Sequence, residues 1–147
     1  MLDCRWLTGD ARDALLIRYE VFCGEQGYAL TGEIDDLDGG SHHVVIYENG
    51  VPIATGRMYP EQNRMHMGRL AVRKPWRGKG LGTLAMDRME RRAAELGFSE
   101  AVLSAQCQAA GFYERRGYVA EGEVYMDGHV PHVVMKKIFK TGAEEDG

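Results

Sequence analysis

The sequence predicts a mixed α/β fold, a central sheet flanked by helices. Three observations lead there. β-rich runs and helical patterns follow one another in the order β-α-β-β-β-α-β-α-β-β. Two strand pairs are joined at dipeptides that favour tight hairpins, Asn49-Gly50 and Asp127-Gly128. Glycines stand where two helical patterns stop, at Gly97 and Gly117. The 147 residues suit a single domain over 1–140, with 141–147 as a flexible tail.

Each element has its own warrant. Residues 2–7 read as a short strand. Asp10 is placed to cap a helix over 11–23 whose apolar face is Ala11, Leu15, Tyr19 and Phe22. A polar, Gly-rich and acidic loop follows over 24–40. Residues 43–47 and 51–58 form a hairpin about Asn49-Gly50, and 65–72 is a third strand. Pro75 and Gly78 break the chain before a helix over 81–96, with Leu81, Ala85, Met89 and Ala93 at i+4 spacing. A short strand over 100–105, a short helix over 109–116, and a hairpin of 118–125 with 130–138 complete the order.

Composition removes several function classes. Hydrophobic residues make up 44% and charged residues 27%, ordinary for a globular protein. The longest apolar runs, Ala14 to Ile17 and Val44 to Tyr47, fall far short of the roughly 20 residues of a membrane span. Charges at Asp3, Arg5, Asp10, Arg12 and Asp13 leave no signal-peptide core. A net charge of −4 argues against bulk nucleic-acid binding. Cys4, Cys23 and Cys107 are odd in number and widely spaced, so neither a disulfide framework nor a zinc site is expected, and a reducing cytoplasm is the expected location.

The most informative stretch is Arg77-Gly78-Lys79-Gly80-Leu81-Gly82-Thr83, after a strand and at the start of a helix. Such a turn aims several backbone N–H groups at one anion, and the helix dipole helps. Arg77 and Lys79 add positive charge. Position 83 is Thr, so the dinucleotide G-x-G-x-x-G fingerprint is broken, and the Walker A pattern is absent.

Arg77-Gly78-Lys79-Gly80-Leu81-Gly82 resembles the Arg/Gln-x-x-Gly-x-Gly/Ala pyrophosphate loop of the GCN5-related N-acetyltransferase (GNAT) superfamily. Gly68-Arg69-Leu70-Ala71-Val72 looks like that family's central strand. Gly111 to Tyr118 resembles its short helix beside the thiol end of coenzyme A. Val21-Phe22, Glu25-Gln26, Glu33-x-Asp35-x-x-Asp38, Ala105-Gln106 and the ending from Asp127 to Met135 look like the ElaA/YjcF-like branch. Gln106 stands where much of the superfamily has Asn, a departure that agrees with this branch.

The resemblance implies the GNAT acyl-CoA N-acyltransferase fold and acetyl-CoA as cosubstrate, without a metal. It implies cofactor binding by Leu70, Ala71, Val72, Arg77, Gly78, Lys79, Gly80, Leu81, Gly82, Thr83 and Gln106. Backbone N–H groups near Leu70 to Val72 would polarise the thioester carbonyl. Tyr113 matches the family tyrosine beside the sulfur, and a phenol can donate to a leaving thiolate. Alternatively, Tyr113 is an amphipathic helix residue beside Phe112.

For the acceptor, Glu33, Asp35, Asp36 and Asp38 offer carboxylates that can accept an ammonium proton or hold a cationic amine, or they form a solvated turn. His132 can titrate near neutral pH, or be a packed histidine. His129 and His132 lie three apart on a strand and so face opposite ways, which argues against a shared metal. Cys107 could carry an acetyl group, but no base is paired with it. The expected reaction is direct acetyl transfer to a small-molecule or peptide amine in a ternary complex, with a homodimer compatible. Two alternatives differ. Arg18, Phe22, the acidic run and Gly56-Arg57 resemble the N-terminal half of acyl-homoserine-lactone synthases, which are longer proteins. A non-catalytic acetyl-CoA sensor would keep the loop and lack transfer.

Overall fold

The structure, a computed structural model, describes residues 1–29 and 38–139. Its strands are β1 (Leu2–Leu7), β2 (His42–Glu48), β3 (Val51–Glu61), β4 (Arg64–Val72), β5 (Glu100–Gln106), β6 (Val119–Ala120), β7 (Tyr125–Asp127) and β8 (Val130–Ile138). The helices are α1 (Arg12–Arg18), α2 (Leu81–Glu95) and α3 (Ala110–Arg115). Hydrogen bonds join the strands in the order β1-β2-β3-β4-β5-β8-β6, with β7 also on β8. The eight-stranded sheet is mixed, as the sequence predicts. The chain divides into two compact units, Met1–Tyr59 with Gly68–Glu90, and Pro60–Met67 with the chain from Arg91.

In the first unit, β1 and β2 pair antiparallel from Leu2↔Glu48 to Leu7↔His43, and β2 pairs antiparallel with β3. Asn49 and Gly50 both have positive φ, 50° and 84°, as the twist of a two-residue hairpin requires. Asp10 does accept from the Arg12 backbone N–H at 3.2 Å, although Ala11 occupies the cap position of α1. The expected single helix over 11–23 changes character: after Arg18 the chain winds as a π-helix, Tyr19–Glu25.

The buried face of this segment also differs from the expected one. It is Ala11, Ala14, Ile17, Val21 and Phe22, packed on Val45, Tyr47 and Ala71. Leu15 is only half-buried and Tyr19 is 54% exposed. The Ala14-Ile17-Val21 stripe competes with Leu15-Tyr19 on spacing alone. Burial of Arg18 against a distant carboxylate accompanies the Ala14-Ile17-Val21 choice. On α2, Leu81, Ala85, Met89 and Ala93 are buried as expected. Met89 lies so close over Gly56 of β3 that a Cβ there would come within 2.6 Å of its terminal methyl.

In the second unit, β4 runs parallel to β5 through Met65↔Ala101, His66↔Val102 and Met67↔Leu103. β5 pairs antiparallel with β8 along its whole length, from Glu100↔Ile138 to Gln106↔His132. The expected strand 118–125 is two pieces, β6 and β7, and both pair with β8. Asp127 pairs with Val130, so the tight turn is Gly128-His129, one residue later than the expected Asp127-Gly128. A further turn, Gln62-Asn63 with φ 55° and 61°, links β3 to β4. The core of this unit includes Leu103, Ala105, Val133 and Met135, with Tyr118 2% exposed.

Candidate functional site

The Gly-rich loop stands on a laced base. Arg73 donates to Glu20 through Nε (2.9 Å) and Nη2 (3.2 Å), and its guanidinium lies 5.0 Å over the Trp76 ring. Trp76 Nε1 donates to Glu48 at 2.6 Å. Arg77 donates through Nη2 to Glu25 at 2.7 Å and through Nε to the Val72 carbonyl at 2.9 Å. Three aromatic and basic side chains thus tie the loop's entry to β2, to the π-helix and to the end of β4. Glu25 balances part of the charge of Arg77, so Lys79 is the cation that the exposed turn itself carries.

Beyond that base the turn is open. Gly78 and Gly80 adopt φ of 79° and 78°, and a Cβ on either would meet nothing within 4 Å. Glycine is therefore demanded there by backbone conformation. The two left-handed residues alternate with Lys79 and hand the chain to α2, whose first hydrogen bond is Leu84 N–H to Gly80 carbonyl at 3.0 Å. The N–H groups of Leu81, Gly82 and Thr83 precede that bond and have no partner one turn back within the helix, the pattern that suits an anion. Gly82 is helical and half-buried, so its role is different from that of the two turn glycines.

Leu70, Ala71 and Val72 belong to the same unit as this loop. Ala71 is 3% exposed in the core under α1, while Leu70 and Val72 are half-buried. Just before them Arg69 has φ 50° inside a strand. A left-handed non-glycine costs about 1–3 kcal/mol and turns the peptide groups on either side of it. No pattern in the sequence signals Arg69.

A second cluster in this unit joins Arg18, Asp38 and Arg57, which the sequence offers only through the lactone-synthase resemblance, to His43. Arg18 donates to both carboxylate oxygens of Asp38, at 2.6 and 3.3 Å, and Arg57 donates to Oδ1 at 3.1 Å. His43 Nε2 donates to the Asp38 carbonyl at 3.0 Å. All four residues are buried. Burial is the largest effect on His43 and pushes its pKa down, and nearby Arg18 adds to this. Asp38 is thus the anchored end of the acidic run: the carboxylate expected to be open to the acceptor is buried and already neutralised by two guanidinium groups. The expected acceptor residues Glu33, Asp35 and Asp36 lie outside the described residues.

Tyr113, Gln106 and His132 belong to the second unit. Tyr113 packs edge-on against Phe112 and Tyr118, with ring centroids 5.0 and 5.8 Å away. Burial pushes its phenol up to about 12. Gln106, the last residue of β5, stands opposite His132 in register and accepts from the Gln108 side-chain amide. His132 is 6% exposed, and its ring lies 6.0 Å from that of Tyr125. Tyr125 and Asp127 stand beside His132, although the sequence marks Asp127 only as a turn and family-motif residue and Tyr125 only as a strand end. Cys107 opens a short 3-10 turn and is half-buried. Among the described residues no three His, Cys, Asp or Glu side chains gather as a metal site needs, and no helix is long and apolar enough to cross a membrane.

Residues 11–139 match the acetyltransferase (GNAT) domain family. The N-acetyltransferase YjcF of Bacillus subtilis (strain 168) is 36% identical over 127 residues, which is 86% of this chain and 91% of that protein. The crystal structure of an acyl-CoA N-acyltransferase from Pseudomonas aeruginosa is similar with a TM-score of 0.84 at 30% identity, covering 93% of this chain and 99% of the other. Escherichia coli ElaA shares the fold with a TM-score of 0.82 at 24% identity and the same coverage. A family match across most of the chain and a relative at 36% identity carry one conclusion: the chain belongs to the GNAT acetyltransferase family, on its YjcF-like side.

Proposed function

We propose that this protein transfers the acetyl group of acetyl-CoA directly to an amine in a ternary complex. The observation that carries the reading is the pair of left-handed glycines, Gly78 and Gly80, opening straight into α2 with Lys79 between them. That turn suits a pyrophosphate, which needs several backbone N–H groups and no Cβ in the way. The acyl-CoA donor is also what the Pseudomonas aeruginosa relative is named for. In this reading Arg77 to Thr83 hold the phosphates. Leu70, Ala71 and Val72 present backbone to the thioester, and Gln106 lies along the cofactor. The left-handed Arg69 supports a peptide group aimed out of the strand.

Tyr113 faces the leaving sulfur. Its phenol, raised to about 12, stays protonated throughout the neutral range. An ordinary thiol sits near 8.5, so the proton remains on Tyr113, which stabilises the thiolate as a hydrogen-bond donor. Glu33, Asp35, Asp36 and His132 border the acceptor, which suits a cationic small molecule or a peptide amine. The test is thiol release from acetyl-CoA across a panel of primary amines, with CoA affinity measured by calorimetry. The reading fails if CoA does not bind, and it gives way to a sensor role if CoA binds and no amine is acetylated.

A further inference from the structure

One face of the sheet in the second unit carries a row of polar side chains. Gln106 on β5, His132 on β8 and Tyr125 on β7 stand directly opposite one another in register, so their side chains project from the same face. The Tyr125 hydroxyl is hydrogen-bonded to Ser104, one pleat back on β5. The other face is different. There Leu103 and Ala105 oppose Met135 and Val133, all buried. Lys137 lies 5.7 Å over the Tyr118 ring, and the Tyr118 hydroxyl reaches Met67 sulfur at 3.8 Å. Tyr113 packs on Tyr118. The tyrosine assigned to the leaving group and the histidine are therefore reached from opposite faces of one sheet.

The histidine is also held in a defined form. His132 Nδ1 lies 2.9 Å from the Val130 carbonyl oxygen. A carbonyl only accepts, so Nδ1 carries the hydrogen and the lone pair of the neutral ring is on Nε2. Nε2 lies 3.9 Å from a carboxylate oxygen of Asp127. That distance is within ion-pair range of a charged ring. Packing alone would need neither the fixed tautomer nor the adjacent acid.

We propose that His132 Nε2 is the base that takes a proton from the acceptor ammonium, with Asp127 as the partner of the imidazolium that forms. The proposal rests on the acetyltransferase reading above. The ammonium gives one proton to Nε2. The freed lone pair then forms the C–N bond at the thioester carbon. The C–S bond breaks, and the thiolate leaves with that electron pair beside the Tyr113 hydroxyl. The second amine proton goes to the thiolate, and the imidazolium returns its proton to water. Asp127 is a positioning residue, because it acts through His132.

The experiment compares two nucleophiles. The first is whichever of ethanolamine, spermidine, tyramine and Nα-acetyl-lysine the unaltered protein acetylates fastest; each carries a proton at neutral pH. The second is hydroxylamine, which is already unprotonated there. His132→Asn keeps a side-chain N–H for the Val130 carbonyl and removes the basic nitrogen. With the alkylamine its rate should fall by about 100-fold or more, while hydroxylamine stays within about threefold. An equal loss with both nucleophiles, or no loss with either, overturns the proposal. Nitrogen-15 NMR of the labelled ring in the unaltered protein gives a second reading: a neutral ring protonated on Nε2 overturns it, and one protonated on Nδ1 supports it even if the variant does not fold. Failure of the acetyltransferase reading looks different, since neither nucleophile then releases thiol from acetyl-CoA in the unaltered protein.

Discussion

Arg18 and Asp38 meet in a buried ion pair of 2.6 Å across 20 residues of sequence, with Arg57 on the same carboxylate oxygen. The pair joins the end of α1 to the residue that closes the acidic run, and Arg57 joins both to β3. Breaking such a pair leaves an uncompensated guanidinium in a poorly solvated place. Asp38→Asn keeps the shape and removes the charge. It should cost about 3–5 kcal/mol in urea unfolding. A loss below about 1 kcal/mol would mean that water or neighbouring groups screen the cluster after all.

His43 predicts how stability responds to acid. Its folded pKa is lowered, chiefly by burial, so the unfolded chain binds the proton more readily. Stability is then complete above the unfolded value near 6.5 and declines as pH falls from there toward the lower folded value. His43→Gln keeps an N–H for the Asp38 carbonyl and does not titrate. Urea midpoints measured from pH 7.5 down to 5 should slope less in the variant than in the unaltered protein. Parallel slopes would remove His43 from the account.

Replacing Gly80 tests the loop. Gly80→Ile forces a branched side chain into φ 78°, at a cost of about 1–3 kcal/mol, and puts bulk where the phosphates are to lie. The turn is exposed, so the circular dichroism spectrum should be retained. Calorimetry should show CoA binding weakened by about 100-fold, close to 2.7 kcal/mol. Unchanged affinity would sink the assignment of this turn.

Tyr113→Phe removes only the hydroxyl. Loss of one donor to a developing anion should lower kcat by about 100-fold or more and leave CoA affinity nearly unchanged. Because burial holds the phenol at about 12, the unaltered enzyme should show no decline of kcat from Tyr113 ionisation below about pH 11. An unaltered kcat in the variant would return Tyr113 to a packing role beside Tyr118.

Local chemistry made much of this molecule legible. Asn49-Gly50 announced its hairpin because both residues tolerate left-handed backbone, and the face of α2 announced itself by spacing. Gln62-Asn63 adopts the same kind of turn without a sequence signal, since Gln carries no turn preference. The face of α1 differs from its periodicity because Arg18 is buried by a carboxylate far along the chain, which no spacing reports. Arg77 read as a phosphate cation, and only the structure shows its ties to Glu25 and Val72. His132 was visible as a residue, whereas its tautomer depends on a backbone carbonyl two positions away.

The division into Met1–Tyr59 with Gly68–Glu90, and Pro60–Met67 with the remainder, bears on how the chain is made. The polypeptide passes from one unit to the other three times, so neither unit is a continuous stretch that emerges whole from a ribosome. Met65 to Met67 appear early, yet their parallel partners Ala101 to Leu103 follow only after all of α2 has been synthesised. Parallel pairing across such an interval pays its loop-closure entropy before any contact repays it. During translation the first half of β4 therefore keeps one edge unpaired until β5 is made, and that edge is open to a chaperone or to another nascent chain.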